Sequence, residues 1–228
     1  MTNKNKIMAK LILMRHGECV WHSKNVFTGW FDVPLSANGI VEALKTGTRI
    51  SEIEFDIVAT SMQIRAIEAA MIALTQTKSE KMPVLISDNE KMKNWISNNN
   101  KSMEESIIPV FRKWHLNEQC ELPGKNPPGT SGKYGIKHID RWCISYDSPL
   151  QNEACMRDTA ERCIPFFREE IIPQLEEGKN VLISAHHNSL RLILMFIENR
   201  TEKEILKLKI PADKPFVYEM IGGKIIKR

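Results

Sequence analysis

The chain has no uninterrupted apolar run of the ~18 residues needed to span a bilayer. It also has no C-x-x-C pair and no marked excess of either charge. Each absence removes a class of protein. The first removes a membrane-spanning helix. The second removes a zinc ribbon, and the odd number of cysteines (Cys19, Cys120, Cys143, Cys155 and Cys163) argues against a disulfide framework. A reducing cytoplasm is therefore the expected setting. Lys and Arg exceed Asp and Glu by 32 − 28 = +4, a surplus that suits small anionic molecules. The basic residues form no stripe with interleaved aromatics, so no nucleic-acid partner is expected. Also missing are the phosphate loop G-x-x-x-x-G-K-[ST], the dinucleotide turn G-x-G-x-x-G and the nucleophile elbow G-x-S-x-G. Residues 1–14 begin with a basic lead, but Lys10 cuts the apolar stretch and no small-residue cleavage pattern follows, so they do not read as a signal peptide.

What is present is an ordinary globular composition: 228 residues, 42% hydrophobic and 26% charged, with Gly and Pro at 11 each. This suits one domain over residues 1–228. Short runs rich in β-branched and aliphatic residues predict buried strands at 10–14, 57–60, 84–86, 181–184 and 217–220. Helical periodicity predicts helices at 36–50, 64–76, 102–113, 157–176 and 189–208, the last broken at Asn199. Ser102 with Glu105 and Thr201 with Glu204 read as capping boxes. Strands alternating with helices predict an α/β fold of three layers, a mostly parallel sheet with helices on both faces. Residues 122–135, with three prolines and four glycines, predict a surface loop, as does the Asn-rich stretch 94–102. The basic tail 224–228 is expected to be a solvated end.

Ligands of open α/β sheets bind beyond the carboxyl ends of the strands. Three of the expected strands run into polar residues there: Arg15-His16-Gly17-Glu18, Thr60-Ser61 leading to Arg65, and His186-His187-Asn188. If they converge, two histidines and two arginines meet at one sheet edge, a set suited to phosphoryl transfer. A neutral imidazole can attack phosphorus and split one difficult displacement into two easier ones, and His16 is the expected nucleophile. The planar, permanently charged forks of Arg15 and Arg65 can hold phosphate oxygens, and His186 can donate a further hydrogen bond. Glu118 is the candidate acid or base for the substrate oxygen. His186 and His187 do not form a metal pair, because adjacent side chains diverge and no third ligand stands at zinc spacing. His187 is expected to be a bulky intruder near the phosphate or a surface side chain. Trp21, Trp30, Trp114 and Trp142 are expected to pack in the core or at the rim, and Cys19 and Cys143 are assigned no catalysis.

The motif Arg15-His16-Gly17-Glu18, followed by Phe27-Thr28-Gly29-Trp30 and Leu35-Ser36, resembles the cofactor-dependent phosphoglycerate mutases of the histidine phosphatase superfamily. The likeness continues through Phe55-Asp56, Thr60-Ser61, Arg65-Ala66-Ile67, residues 114–118, Ser145-Tyr146-Asp147, His186, Asn188-Ser189-Leu190-Arg191 and residues 215–219. It implies a phosphoglycerate mutase-like fold in which His16 is phosphorylated and Arg15, Arg65 and His186 bind the phosphoryl group. Glu118 would shuttle the proton, and Thr28, Gly29 and Asn188 would line the pocket. It further implies 2,3-bisphosphoglycerate as primer, interconversion of 3-phosphoglycerate and 2-phosphoglycerate in glycolysis and gluconeogenesis, no metal, and a pairing into homodimers often seen among such proteins.

Several positions depart from that pattern. His22 stands where the family has Asn, Gln119 where an Arg follows the Glu, and Pro127 where a Lys is usual, with Lys125 two positions earlier as a substitute. Cys143-Ile144 replaces a pair of arginines after Trp142, and His187 replaces a Gly. His22, Gln119 and Lys125 are therefore assigned to an altered outer substrate pocket. Each lost charged hydrogen bond removes roughly 1.5 to 3 kcal/mol of binding. Two alternatives stay open on this ground: a histidine phosphatase hydrolysing another small phosphate monoester, and a weakly active paralogue.

Overall fold

The computed structural model describes residues 8–24, 26, 28–87, 105–118 and 156–228. Strand β1 (Ala9–Arg15) shows why a sheet forms between two helical layers. Its residues alternate between two cores, Leu11 and Leu13 on one face and Ile12 and Met14 on the other, as the two-residue period of a strand requires. A strand apolar on both faces needs cover on both. Helices α1 (Ala37–Arg49) and α2 (Ile64–Leu74) cover one face, contributing Ala43, Ala69, Ala70 and Ala73. Helices α3 (Met156–Phe166) and α5 (His187–Glu198) cover the other, with Cys163, Phe166, Leu190, Leu192 and Leu194.

Among the described residues the sheet has seven strands in the order β3-β4-β2-β5-β1-β6-β7. Here β2 is Ile57–Thr60, β3 Met82–Leu85, β4 Ile107–Arg112, β5 Val181–Ala185, β6 Phe216–Ile221 and β7 Lys224–Lys227. The first five strands in that order are mutually parallel, β6 pairs antiparallel with β1, and β7 pairs antiparallel with β6. The register sets Arg15 opposite Ala185 and Thr60 opposite Ser184, so the carboxyl ends of β1, β5 and β2 lie side by side.

Helix α1 is capped by Ser36, whose hydroxyl accepts from the Gly39 amide at 3.1 Å. The expected break at Asn199 is a left-handed residue with φ 49°. After it the capping box of Thr201 and Glu204 opens α6 (Glu202–Lys207). The periodic stretch 157–176 is helical but not uniformly so: a π-turn at Phe167–Ile171 separates α3 from α4 (Ile172–Glu176). Pro165 lies just upstream and removes an amide donor from the helical ladder.

Two expectations are corrected. Residues 107–112 are a strand and not part of a helix over 102–113. Ile107, Ile108, Val110 and Phe111 carry helix-like spacing, but β2 and β3 offer them parallel ladders on both sides, and tertiary pairing overrides a short periodic signal. The basic tail is not simply a solvated end: Lys224–Lys227 pairs with β6 through the Gly222-Gly223 turn, both glycines at positive φ as a tight hairpin requires. Ser102, the loops over 94–102 and 122–135, Phe27, Gln119, Lys125, Pro127, Trp142, Cys143 and Ile144 lie outside the described residues.

Candidate active site

The chain leaves β1 at Arg15 and turns at His16, whose amide donates to the Ala185 carbonyl at 3.2 Å. The loop that follows is held against α1. The Glu18 amide donates to Glu42 at 2.8 Å, and the Ser36 hydroxyl donates to the Glu18 carboxylate at 2.6 Å. The approach is close enough to require glycine. A Cβ on Gly39 would sit 2.0 Å from the Glu18 carbonyl oxygen, and one on Gly17 would sit 2.7 Å from Gly39.

His16 is 3% exposed, and its Nδ1–H donates to the Gly17 carbonyl at 2.7 Å. That bond fixes the tautomer and leaves Nε2 with the free lone pair. Burial first, then the charges of Arg65 and Arg15, hold the pKa of His16 well below its usual value, so the ring is neutral at neutral pH. His186 packs edge-on against it with ring centroids 4.8 Å apart. Burial, Arg65 and the other nearby cations push His186 down in the same way. Its Nε2 lies 2.7 Å from the Ser61 hydroxyl, which also accepts from the Gln63 amide at 3.2 Å. The arrangement that leaves fewest groups unmet has Ser61 donating to Nε2. The buried Nδ1, which has no partner among the described residues, then remains as a donor.

Arg65 is among the largest fully buried side chains, at 1% exposed. Its two terminal nitrogens donate to the carbonyls of Phe31 and Gly29, each at 2.9 Å. Gly29 is at φ 47°, and its carbonyl also accepts from the Gln63 side chain at 2.7 Å. Arg15 donates to the Ile210 carbonyl at 3.1 Å. Thr28 and Asn188 are buried, and Asn188 accepts from Arg191 at 3.2 Å. His186 is the N-cap of α5, so the first-turn amides and the positive end of that helix lie beside the two histidines, an environment that favours an anion. His22 stacks over His16 at 6.0 Å with an interplanar angle of 17°, and burial with Arg15 and Arg65 brings its pKa to about 4.

Glu118 is half-buried and follows the turn Trp114–Leu116 at the end of β4. Its amide donates to the Gln63 side chain at 3.1 Å, and its carbonyl accepts from the Trp30 indole at 2.6 Å. Trp30 is half exposed, so its part here is that of a donor at the rim as well as an apolar surface. His187 turns its Nε2–H to the Leu208 carbonyl at 3.3 Å, and burial with the charges of Arg191 and Arg15 lowers its pKa to about 4. Cys19 and Cys163 are buried free thiols, and burial pushes Cys163 up to about 12.

The structure thus brings Arg15, His16, Arg65 and His186 together from the ends of β1, β2 and β5. Sequence reasoning assigned no role to Ser61 or Gln63. Both lie just past β2, where the strand-end argument could have found them. Arg162, on α3, carried no signal at all.

A model of the histidine phosphatase superfamily (branch 1) matches residues 11–133. The chain is 40% identical over 223 residues to the 2,3-bisphosphoglycerate-dependent phosphoglycerate mutase of Chlamydia pneumoniae, covering 96% of this chain and 97% of the relative. It is also 40% identical over 230 residues to 2,3-bisphosphoglycerate-dependent phosphoglycerate mutase 1 of Arabidopsis thaliana, covering 100% of this chain and 69% of the relative. The crystal structure of phosphoglycerate mutase from Bacillus anthracis superposes with a TM-score of 0.68 at 16% identity, covering 98% of this chain and 93% of that one. That likeness concerns the fold. With motif, geometry and whole-length similarity in agreement, the chain belongs to the histidine phosphatase superfamily, branch 1, and groups there with the proteins named 2,3-bisphosphoglycerate-dependent phosphoglycerate mutase.

Proposed function

We propose that this chain interconverts 3-phosphoglycerate and 2-phosphoglycerate through a phosphohistidine at His16. The observation that carries the reading is the state of that ring: buried, neutral and tied at Nδ1, so that Nε2 is the nucleophile. Attack forms the N–P bond and breaks the ester P–O bond, and the leaving oxygen takes a proton from Glu118. In the return transfer the N–P bond breaks, a substrate hydroxyl oxygen bonds phosphorus, and its proton passes to Glu118. Arg15 and Arg65 supply fixed positive charge for the phosphoryl oxygens, since both histidines are neutral, and His186 Nδ1–H adds a donor.

The same groups fit a doubly phosphorylated primer. The unspent Nδ1 donor of His186, the buried Arg65 and the amides opening α5 all suit an anion. When bound, 2,3-bisphosphoglycerate supplies the phosphoryl group that charges His16. Thr28, Gly29, Asn188 and His22, with Gln119 and Lys125, are assigned to the surrounding substrate pocket, with no metal in the scheme. The reading takes residues 1–228 as one domain acting in the cytoplasm on a small phosphorylated substrate. Among the described residues no helix is long and apolar enough to cross a membrane.

The test is an enolase-coupled assay of 3-phosphoglycerate conversion, primed with 2,3-bisphosphoglycerate, on wild type and His16→Ala. Turnover that the variant loses is the expected result. A folded wild type with no turnover overturns the mutase reading, and phosphate release from monoesters in its place identifies a hydrolase.

A further inference from the structure

The residue that carries the proton stands on a turn that little secondary structure holds. Past Trp114–Leu116 the chain is extended, with Asn117 at φ −57° and ψ 152°. One side chain, 44 residues further along, gathers this turn. Arg162 on α3 donates from Nη1 to the carbonyls of His115 at 2.6 Å and Trp114 at 3.1 Å. From Nη2 it donates to the carbonyls of Asn117 at 2.7 Å and Glu118 at 3.2 Å, and to the Thr159 hydroxyl at 3.4 Å. Four of the five carbonyls from 114 to 118 thus point to one guanidinium. Its charge centre also lies 5.8 Å from the Trp114 ring centroid.

The opposite side of Glu118 is fixed as well. Trp30 donates into the same Glu118 carbonyl that Arg162 reaches. Gln63 accepts the Glu118 amide and donates to the Gly29 carbonyl, which Arg65 also holds. On the far flank the Ser189 hydroxyl donates to the Asn117 carbonyl at 2.8 Å, and the Asn117 side chain accepts the Met62 amide at 2.9 Å. The frame therefore runs from the phosphate-binding arginine to the turn bearing Glu118, and Arg162 closes it from behind. A planar fork with several donors meets carbonyls spread over five residues, of which an ammonium reaches only some.

We propose that Arg162 is the positioning residue of the proton shuttle, holding residues 114–118 so that the Glu118 carboxyl meets the oxygen that gains or loses the proton. The inference rests on the reading of Glu118 given above. Burial draws the pKa of Arg162 down, and the charge of Glu118 is among those that oppose this, so the two groups lie within each other's field.

The experiment measures kcat and KM for 3-phosphoglycerate turnover in wild type, Glu118→Gln, Arg162→Met, Arg162→Lys and the double variant Glu118→Gln/Arg162→Met, with near-ultraviolet circular dichroism as the fold control. Displacing a reacting group by about 1 Å can cost about 100-fold in rate. Arg162→Met should therefore lose about 10- to 100-fold in kcat with KM within about two-fold of wild type. Arg162→Lys should recover part of the loss, and the double variant should be no slower than Glu118→Gln alone. Losses that multiply in the double variant, or an unchanged kcat in Arg162→Met, overturn the proposal. Glu118→Gln at the wild-type rate, or a wild type without turnover, overturns instead the reading on which it rests. Should Arg162→Met fail to fold, Trp30→Phe removes the other donor to the Glu118 carbonyl from an exposed position. That variant must then lower kcat about 3- to 10-fold without adding to Glu118→Gln, and no effect there also overturns the proposal.

Discussion

At the scale of single residues, all five histidines among the described residues are held below the usual value, His115 by burial above all, and four of them surround the candidate site. His16 and His186 are held well below the usual histidine value by burial, and His22 and His187 at about 4. The unfolded chain takes up protons at these residues as pH falls through about 6.5, whereas the folded chain does not. The unfolded state then binds more protons, so stability falls with pH. The contribution is complete above about pH 6.5. For His22 and His187 it is lost progressively down to about pH 4, and for the two buried rings the loss continues lower. Each buried ring contributes a slope of at most about 1.4 kcal/mol per pH unit. Urea denaturation should show a lower midpoint at pH 5 than at pH 7, and equal midpoints would refute the argument. Ser61 is the second test at this scale. Ser61→Ala leaves the Nε2 of a buried ring without its partner, which should cost about 1 to 3 kcal/mol of stability and lower turnover by about ten-fold as the tautomer is released. Turnover at the wild-type rate would remove Ser61 from the site.

At the scale of elements, the site depends on how closely α1 lies against its neighbours. Gly39 meets the backbone of Glu18 in the loop that carries His16, and Gly47 meets the backbone of α2, where a Cβ would come within 2.3 Å of the Ala73 carbonyl oxygen. Both substitutions to alanine force helix against backbone and should destabilise by about 1 to 3 kcal/mol or more. They should differ in function. Gly39→Ala pushes on the loop that carries His16 and should lower kcat, whereas Gly47→Ala should leave kcat near wild type at a temperature where both are folded. Thermal melts alongside the coupled assay decide this, and equal effects on kcat would show that α1 transmits strain along its length. The elements themselves were unequally legible. The apolar run of β1 and the Thr201 capping box each declare themselves locally. Strand β4 did not, because its apolar spacing also fits a helix and its partners lie in distant sequence. Strand β7 was legible after all: Gly222-Gly223 between two apolar runs is a hairpin signal.

Across the whole molecule, one carboxylate ties helix α5 to the two edge strands. Glu198, at the end of α5, accepts from the Tyr218 hydroxyl of β6 at 2.6 Å and from Lys227 of β7 at 2.9 Å, and it pairs with Arg200. Burial acts to raise its pKa, but these donors outweigh burial and hold the carboxyl at about 2, while burial and Glu198 together raise Tyr218. The stability this provides is present above about pH 4.5 and is lost as pH falls towards 2. Glu198→Gln should therefore lower the denaturation midpoint at pH 7, and its difference from wild type should shrink on acidification below pH 4.5. A difference that does not change with pH would assign the loss to packing alone.

The sequence by itself determined the layers and the convergence of four residues at the carboxyl ends of the strands. Short apolar runs and helical periodicity are local properties, and polar residues placed directly after apolar strands point to the site without any contact being known. That is why Arg15, His16, Arg65 and His186 could be named in advance. The tertiary structure alone decided the pairing of β4, the tautomer of His16, the neutrality of the buried rings and the clamp on residues 114–118. These depend on burial and on hydrogen bonds between residues separated by tens to more than a hundred positions, such as Ser61 with His186 and Arg162 with Trp114. A desolvation cost or a carbonyl's partner belongs to the packed molecule and has no expression in local composition.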